Sequence, residues 1–266
     1  MADLYDYPDI YDERFTEGAN NAYRQHYEKI LAGKGINTIL DCSFGTGNLS
    51  FPLAELGYQL TGSDISGAML AKAAEKAKAK GFDIELAQCD FRERSSRFSR
   101  QFDCVMSTGS ALAHVPEPDV LRVIREMDKC VAPGGWLYFD SRNWDAARKN
   151  TTRFIFPQPF YKDDGTRIGC VQMWDYNPDG TITINILHTY ERPQNLPDQR
   201  LPGASAPILH RAGQSRAPAP WLRPARGETL PLVRGQTLRR YRLVLPVRQE
   251  TFLTLGADSV PLSRGA

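Results

Sequence analysis

Three aspartates, Asp41, Asp64 and Asp90, each end an apolar run typical of a β-strand, and this placement indicates what chemistry the chain could do. A turn through Gly45 and Gly47 follows the first, and glycines let a backbone turn tightly against a ligand. A carboxylate that ends the second strand can accept hydrogen bonds from both hydroxyls of a ribose. The third carboxylate is placed to receive the amino group of adenine. The set predicts a ligand that contains adenosine.

The remaining residues of the turn bear on the charge of that ligand. Asp41 stands at the base of the turn, where a carboxylate repels a pyrophosphate and attracts a cationic amino or sulfonium group. Ser50 replaces the third glycine of the dinucleotide-binding pattern, so that pattern is incomplete. S-adenosylmethionine is a cation that carries adenosine and no phosphate, and it is therefore the predicted cofactor. A nicotinamide cofactor, and with it a dehydrogenase, is the alternative.

An alternation of strands and helices positions these residues. Strands are predicted at 36–41, 58–64, 82–89, 102–107 and 136–140, and helices at 20–31, 49–56, 66–80 and 118–131. Asn20 or Asn21 is the expected cap of the first helix, and Ser66 and Gly81 are the expected ends of the third. Such alternation implies parallel strands joined by right-handed crossovers. The predicted fold is an α/β, Rossmann-like, doubly wound and mostly parallel sheet.

A turn at residues 133–135 precedes the fifth strand, and a different pattern follows that strand. Residues 167–176 and 181–190 show the alternating pattern of β-strands on either side of a turn at 177–180. This pattern predicts an inserted antiparallel hairpin that extends or flanks the sheet.

Five motifs occur in an order and spacing that resemble the class I S-adenosylmethionine-dependent methyltransferases, over residues 36–145. They are Asp41-x-x-x-Gly45-x-Gly47, residues 63–66, residues 89–91, residues 102–105 and residues 132–135. The resemblance implies the same cofactor. It also implies these contacts to it: Asp41, Gly45, Thr46, Gly47, Asp64, Ile65, Asp90, Phe91 and Ser107. Taken singly, Asp41 or Asp64 is also explained as a helix cap, the glycines as a turn and Phe91 as part of the core.

Two further segments resemble the glycine and sarcosine N-methyltransferases: residues 109–114 and residues 140–145. That resemblance implies that Arg142 holds a substrate carboxylate, and a guanidinium does grip a carboxylate through two hydrogen bonds. Ser110 stands where that family has asparagine, so the implied substrate contact departs from the pattern there. The expected acceptor is a small amine-bearing metabolite, such as an amino acid.

An amine acceptor must lose a proton before it can take the methyl group. An amine with a lysine-like pKa is only about 0.04% neutral at pH 7, and only the neutral form attacks a methyl group. Arg142 and the sulfonium would lower the acceptor's pKa, and His114 is the candidate to receive the proton or orient the amine. A histidine bonded to backbone, and an ion pair of Arg142 with Asp140 or Asp145, are the alternatives.

Segments outside the sheet allow two interpretations each. The N-terminal aromatics Tyr5, Tyr7, Tyr11 and Phe15 are expected either to close over the cofactor as a lid or to pack on the first helix. The arginines at 92, 94, 97 and 100 could suggest nucleic acid, although a solvated connector is the favoured interpretation.

Composition limits the class of protein. The N-terminus lacks the features of a signal peptide, and no apolar run reaches membrane-spanning length. The five cysteines form no CxxC pair, so a reduced, cytoplasmic protein without a metal site or a membrane partner is expected.

The charge divides the chain near residue 195. Residues 195–266 hold eleven arginines and four acidic residues, a net of +7, so the first 194 residues carry −5 of the overall +2. A methyltransferase domain is therefore expected over 1–194, with its cofactor core at 36–145 and the hairpin at 166–192. The irregular segment 195–266 has two interpretations. It is either a basic tail that could contact RNA or acidic partners, or a segment that replaces the family's native ending because the coding frame changed near residue 195. An RNA- or protein-directed methyltransferase and a non-catalytic adenosine-ligand or RNA-binding protein are the alternative functions.

Overall fold

The computed structural model describes residues 4–192, 208–215 and 240–246. The helices are α1 (Pro8–Asp12), α2 (Glu17–Leu31), α3 (Phe51–Glu55), α4 (Gly67–Lys80), α5 (Arg94–Arg97), α6 (Glu117–Lys129) and α7 (Trp144–Asn150). The strands are β1 (Thr38–Asp41), β2 (Gln59–Asp64), β3 (Glu85–Gln88), β4 (Phe102–Ser107), β5 (Val131–Arg142), β6 (Phe154–Ile155), β7 (Phe160–Tyr161), β8 (Arg167–Tyr176), β9 (Ile182–Glu191), β10 (Ile208–Ser215) and β11 (Arg240–Pro246).

The first of two compact units contains residues 15–143 together with β11. Its six-stranded sheet has the order β11-β5-β4-β1-β2-β3, in which β1 to β5 are parallel and β11 runs antiparallel to β5. The direction in which successive strands are added to the sheet reverses at β1, which pairs with β2 on one side and β4 on the other. The predicted doubly wound, mostly parallel sheet is confirmed.

Buried apolar side chains cover both faces of this sheet. One cluster packs α6 against the sheet and includes Leu40, Val105 and Phe139. The other packs α2, α3 and α4 against the opposite face and includes Tyr27 and Tyr138. Because side chains alternate along a strand, consecutive residues of β5 such as Tyr138 and Phe139 enter opposite clusters.

The helix ends follow local hydrogen bonding. Ser66 caps α4 and accepts from the amide of Met69 at 3.3 Å, and Gly81 ends it in a left-handed conformation, as predicted. The expected cap of α2 is wrong. Thr16 caps that helix by accepting from the amide of Ala19 at 3.3 Å, and Asn20 instead donates its side-chain amide to Glu55.

The predicted turn at 133–135 lies inside β5. The register with β4 jumps from the pair Phe102–Val131 to the pair Cys104–Trp136, so the intervening residues form a bulge. A Cβ atom on Gly135 would lie 2.8 Å from the carbonyl oxygen of Asp103. The bulge therefore requires glycine because the two strands approach closely there.

The second compact unit contains residues 4–14, 144–192 and β10. Its antiparallel sheet has the order β10-β9-β8-β6, with β7 also paired to β8. The predicted hairpin is confirmed as β8 and β9, and it belongs to this separate sheet. In the same unit the Tyr190 hydroxyl donates to Glu13 at 2.8 Å and Lys162 pairs with Glu13 at 2.5 Å. The lid function of the N-terminal aromatics stays a prediction.

Within the predicted irregular segment 195–266, the structure describes the strands β10 and β11. The rest of that segment lies outside the described residues, so the two interpretations of it, a basic tail that contacts RNA and a replaced native ending, stay predictions. None of the helices in the described ranges has the length and apolar character needed to span a bilayer.

Candidate functional site

Asp41 lies at the base of the glycine turn and organises it. The side chain is fully buried, and its carboxyl accepts hydrogen bonds from the Ser43 amide at 2.9 Å, the Thr108 hydroxyl at 3.1 Å and the Ser50 hydroxyl. Ser43 in turn accepts from the amide of Thr108 at 2.8 Å. This network joins the end of β1 to the residue that follows β4, so Asp41 fixes the geometry of two neighbouring loops.

Burial raises the pKa of Asp41 above its ordinary value, while the hydrogen bonds from Ser50, Ser43 and Thr108 lower it. Ser50 is the residue that interrupts the dinucleotide glycine pattern. Its hydroxyl supplies a donor that glycine lacks, so the departure has a physical reason in this chain. A cation bound near the turn would lower the pKa of Asp41 and favour its charged form.

The two glycines of the turn are required for different reasons. Gly45 and Gly47 have φ of +55° and +82°, in the left-handed region that other residues rarely adopt. A Cβ atom on Gly47 would also lie 2.6 Å from the ring of Phe51 and 2.9 Å from Phe44. A Cβ atom on Gly45 would lie 3.9 Å from Met69, which is an ordinary contact. Thr46, between them, is buried.

Asp64, at the end of β2, connects the turn to the next loop. One carboxylate oxygen accepts from the amide of Gly45 at 2.8 Å, and the other accepts from the amide of Ser66 at 2.9 Å. The adjacent Ile65 is 66% exposed, which is unusual for so apolar a side chain. An exposed apolar surface beside a carboxylate suits a ligand with a flat base and a ribose.

Asp90 does not stand alone at the end of β3. The guanidinium of Arg92 donates to both of its carboxylate oxygens, at 2.6 and 3.0 Å, and also lies 3.4 Å from Asp119. Phe91 packs partly buried against the α6 side of the core. A base that reached Asp90 would therefore share it with an exposed arginine.

The loops after β4 and β5 are joined through Ser110. Its φ of +64° is left-handed, which is uncommon for a residue other than glycine, and Gly109 before it has a φ of +71°. The Ser110 amide donates to Asp140 at 2.5 Å, and the Ser110 hydroxyl accepts from the Arg142 amide at 3.0 Å. Ser110 and Arg142, the two predicted substrate contacts, are thus hydrogen bonded to each other.

The remaining predicted residues lie nearby in the chain. Ser107 ends β4, is buried, and places its hydroxyl 3.4 Å from that of Ser43. His114 ends a short 3-10 turn at Ala111–His114 and is exposed. Its role as a base stays a prediction.

Sequence reasoning missed three residues that organise the site. Thr108 and Ser43 hydrogen bond to Asp41, and Asp140 holds Ser110. Asp140 had a usable signal, since an acid two residues before the predicted carboxylate ligand shares its face of β5. No sequence signal relates Thr108 to Asp41, because their contact forms only when β1 pairs with β4.

The residues present suit S-adenosylmethionine. The turn is shaped by left-handed glycines, Asp64 is positioned by two backbone amides, and Ile65 presents an exposed apolar surface. The buried Asp41 lies below the turn where a cation is favoured over a phosphate. In the described ranges, no group of three or more His, Cys, Asp or Glu side chains is arranged to hold a metal ion.

Comparisons with known proteins agree with this assignment. Residues 39–135 match the family model described as a methyltransferase domain. The chain is 33% identical over 180 residues to the "Putative methyltransferase YqeM" of Bacillus subtilis (strain 168), covering 67% of this chain and 68% of that protein. It is 32% identical over 116 residues to a glycine/sarcosine N-methyltransferase of Halorhodospira halochloris, a stretch that is 43% of each chain.

Solved structures share the fold. An S-adenosylmethionine-dependent methyltransferase from Clostridium acetobutylicum ATCC 824 superposes with a TM-score of 0.67 at 14% identity, covering 92% of this chain and 98% of that one. The chain belongs to the class I S-adenosylmethionine-dependent methyltransferases. Its cofactor is S-adenosylmethionine.

Proposed function

We propose that this methyltransferase moves a methyl group to the nitrogen of a small amine-bearing metabolite, such as an amino acid of the glycine or sarcosine type. The observation that carries the proposal is the hydrogen bond between the Arg142 amide and the Ser110 hydroxyl at 3.0 Å. It fixes the backbone of Arg142 at the end of β5, beside the loop that follows β4. The similarity to the glycine/sarcosine N-methyltransferase of Halorhodospira halochloris supports the same acceptor class.

Positioning is the main requirement of this reaction. When bound, S-adenosylmethionine supplies a methyl group on a sulfonium, which an aligned lone pair can take by direct displacement. Arg142 would fix the acceptor through its carboxylate, and its positive charge would lower the pKa of a neighbouring amine. His114 would orient the amine or take up its proton. Each role concerns binding or a proton, so no enzyme nucleophile is required.

The first experiment tests the acceptor. The protein is incubated with methyl-labelled S-adenosylmethionine and a panel of glycine, sarcosine, larger amino acids and simple amines. We expect methylation of an amino acid, and Arg142→Ala should raise its KM at least about tenfold, as expected for loss of a paired charge. Arg125→Ala, which removes an exposed arginine of α6, is the control. Methylation of no amine by the wild type would refute the proposal.

The second experiment tests Asp64 as the ribose ligand. Calorimetric titration with S-adenosylmethionine should give a dissociation constant at least about tenfold higher for Asp64→Ala than for the wild type, because charge-assisted hydrogen bonds are lost. Asp83→Ala removes an exposed carboxylate and is the control. Equal affinities in Asp64→Ala and the control would exclude Asp64 as the ligand while leaving the acceptor proposal intact.

A hydroxyl acceptor is the second candidate. A ubiquinone biosynthesis O-methyltransferase of Pseudomonas entomophila (strain L48) is 36% identical over 113 residues, 42% of this chain and 46% of that protein. Adding catechols and other phenols to the panel separates the two classes. Labelling of phenols but of no amine would favour the O-methyltransferase alternative, and labelling of RNA or protein would favour a macromolecular acceptor.

A further inference from the structure

Asp140 has one carboxylate oxygen engaged and one without a partner. Oδ1 accepts the Ser110 amide at 2.5 Å, whereas Oδ2 is buried and has no hydrogen-bond partner. The side chain is 2% exposed, so bulk water does not reach it freely. A buried carboxylate oxygen that lacks a donor costs free energy, and such groups in folded proteins are normally satisfied by a ligand, an ion or a bound water.

Tyr27, on α2, has a second unmet polar group on the same face of the sheet. Its side chain is fully buried, and its hydroxyl has no hydrogen-bond partner. The ring packs edge-on against Tyr138 with centroids 6.2 Å apart, and Tyr138 shares its face of β5 with Asp140. A phenol oxygen and a carboxylate oxygen, each able to accept a hydrogen bond, therefore lie on one side of β5.

The electrostatics of this pair are consistent with their proximity. Burial raises the pKa of Tyr27 well above its ordinary value, and the charges of Tyr138, Asp140 and Asp41 raise it further. The hydroxyl thus stays protonated at any physiological pH. Its oxygen can accept one hydrogen bond from the same small group that donates to Asp140.

Asp140 and Arg142 are two residues apart on one strand, so their side chains start from the same face with a separation of about 7 Å. One carries a negative charge and the other a positive charge. An α-amino acid carries a carboxylate and an ammonium on the same carbon atom, and it could therefore meet both side chains at once. The bond from Ser110 fixes Oδ1 of Asp140, which leaves Oδ2 as the available acceptor.

We propose that Asp140, with the hydroxyl of Tyr27, binds the amino group of the methyl acceptor, so that Asp140 and Arg142 together select a zwitterionic amino acid. This inference rests on the proposed function and makes it more specific. It assigns Asp140 a role in substrate recognition, in addition to its structural bond with Ser110. It also predicts that a simple amine and a simple carboxylic acid each bind more weakly than the amino acid.

A matched pair of ligands tests the assignment. The best amino-acid acceptor of the panel and its deaminated analogue, for example glycine and acetate, are titrated by calorimetry into the wild type, Asp140→Asn and Tyr27→Phe. Asp140→Asn should weaken the amino acid at least about tenfold and the analogue less than about twofold, because only the amino acid has the group that Oδ2 binds. Tyr27→Phe should weaken the amino acid about fivefold and spare the analogue. Arg142→Ala should weaken both ligands.

The outcomes separate this inference from the proposed function. If the wild type methylates no amine, the proposed function fails. If it methylates an amino acid and Asp140→Asn weakens both ligands equally, or neither, Asp140 acts only through Ser110 and the inference is overturned. A wild type that prefers amines without a carboxylate would also overturn it. Should Asp140→Asn unfold, as thermal melting would reveal, Tyr27→Phe alone decides, since an unchanged ratio of the two affinities contradicts the proposal.

Discussion

The carboxyl ends of the parallel strands form two halves, which differ in whether the carboxylates of their aspartates have hydrogen-bond partners. In the cofactor half, at the ends of β1 and β2, Asp41 accepts from two loops and Asp64 accepts from two backbone amides. In the half that we propose for the acceptor, at the ends of β4 and β5, Asp140 keeps one buried oxygen without a partner. The carboxylates of the cofactor half are thus held by hydrogen bonds within the protein, whereas one carboxylate oxygen of the other half lacks a hydrogen-bond donor.

This difference parallels what each half has to bind. A preorganised site loses little entropy when it takes a ligand, because its side chains are already held in place. All class I enzymes share one cofactor, so its half can be built from a fixed network. Acceptors vary, and an unmet buried polar group discriminates strongly, because a ligand that fails to supply the matching group leaves it unpaired. In the proposed site, the unmet oxygen of Asp140 is therefore the element of specificity.

Gly47→Ala should break the cofactor half most severely. The new Cβ would meet the Phe51 ring at 2.6 Å in a left-handed backbone, so we expect about 2–4 kcal/mol of lost stability and at least about tenfold weaker cofactor binding. Urea unfolding and calorimetry measure both. Gly57→Ala is the control, because Gly57 has a φ of +91° but open space around it. Equal losses in the two variants would show that backbone strain alone makes Gly47 necessary.

Ser50→Ala should have a smaller effect that depends on pH. Removing the hydroxyl takes a donor from the buried Asp41, which costs about 1–3 kcal/mol. The pKa of Asp41 is raised in the folded state, so its burial lowers stability progressively as pH rises through that pKa, and it costs nothing where the unfolded state is also protonated. Ser50→Ala raises this pKa further, so the loss of stability should be larger at about pH 7 than at about pH 4.

Urea unfolding at several pH values measures that dependence. Ser99→Ala, which truncates an exposed serine, should change stability little at any pH. A loss in Ser50→Ala that is constant from acid to neutral pH would mean that Asp41 and Ser50 are not coupled. The cofactor half would then owe its order to its glycines instead of its carboxylate network.

The two halves also differ in how far the sequence predicted them. Alternating apolar runs located the five parallel strands and the hairpin, because each depends on local periodicity. The role of Ser50 as a hydrogen-bond donor to Asp41 was not predictable, since that bond forms only after the turn has folded. The pairing of β11 with β5 joins segments about a hundred residues apart, for which local patterns carry no signal. The left-handed Ser110 was missed for the same reason, because Asp140 stabilises it from another strand.

The smallest expected effect comes from Arg92→Ala, at the outer end of the cofactor half. The exposed guanidinium occupies both oxygens of Asp90, the predicted adenine contact, and competes with the base for them. Its removal should tighten S-adenosylmethionine binding by about twofold to fivefold, since exposed ion pairs are weak and screened. Calorimetry at low and high salt measures this, with the exposed Arg122→Ala as control. The advantage should shrink at high salt, where the wild-type pair is already weakened. If Arg92→Ala instead weakened binding tenfold, Arg92 would be holding Asp90 in position or contacting the cofactor itself, and the outer end of this half would be as fixed as the glycine turn.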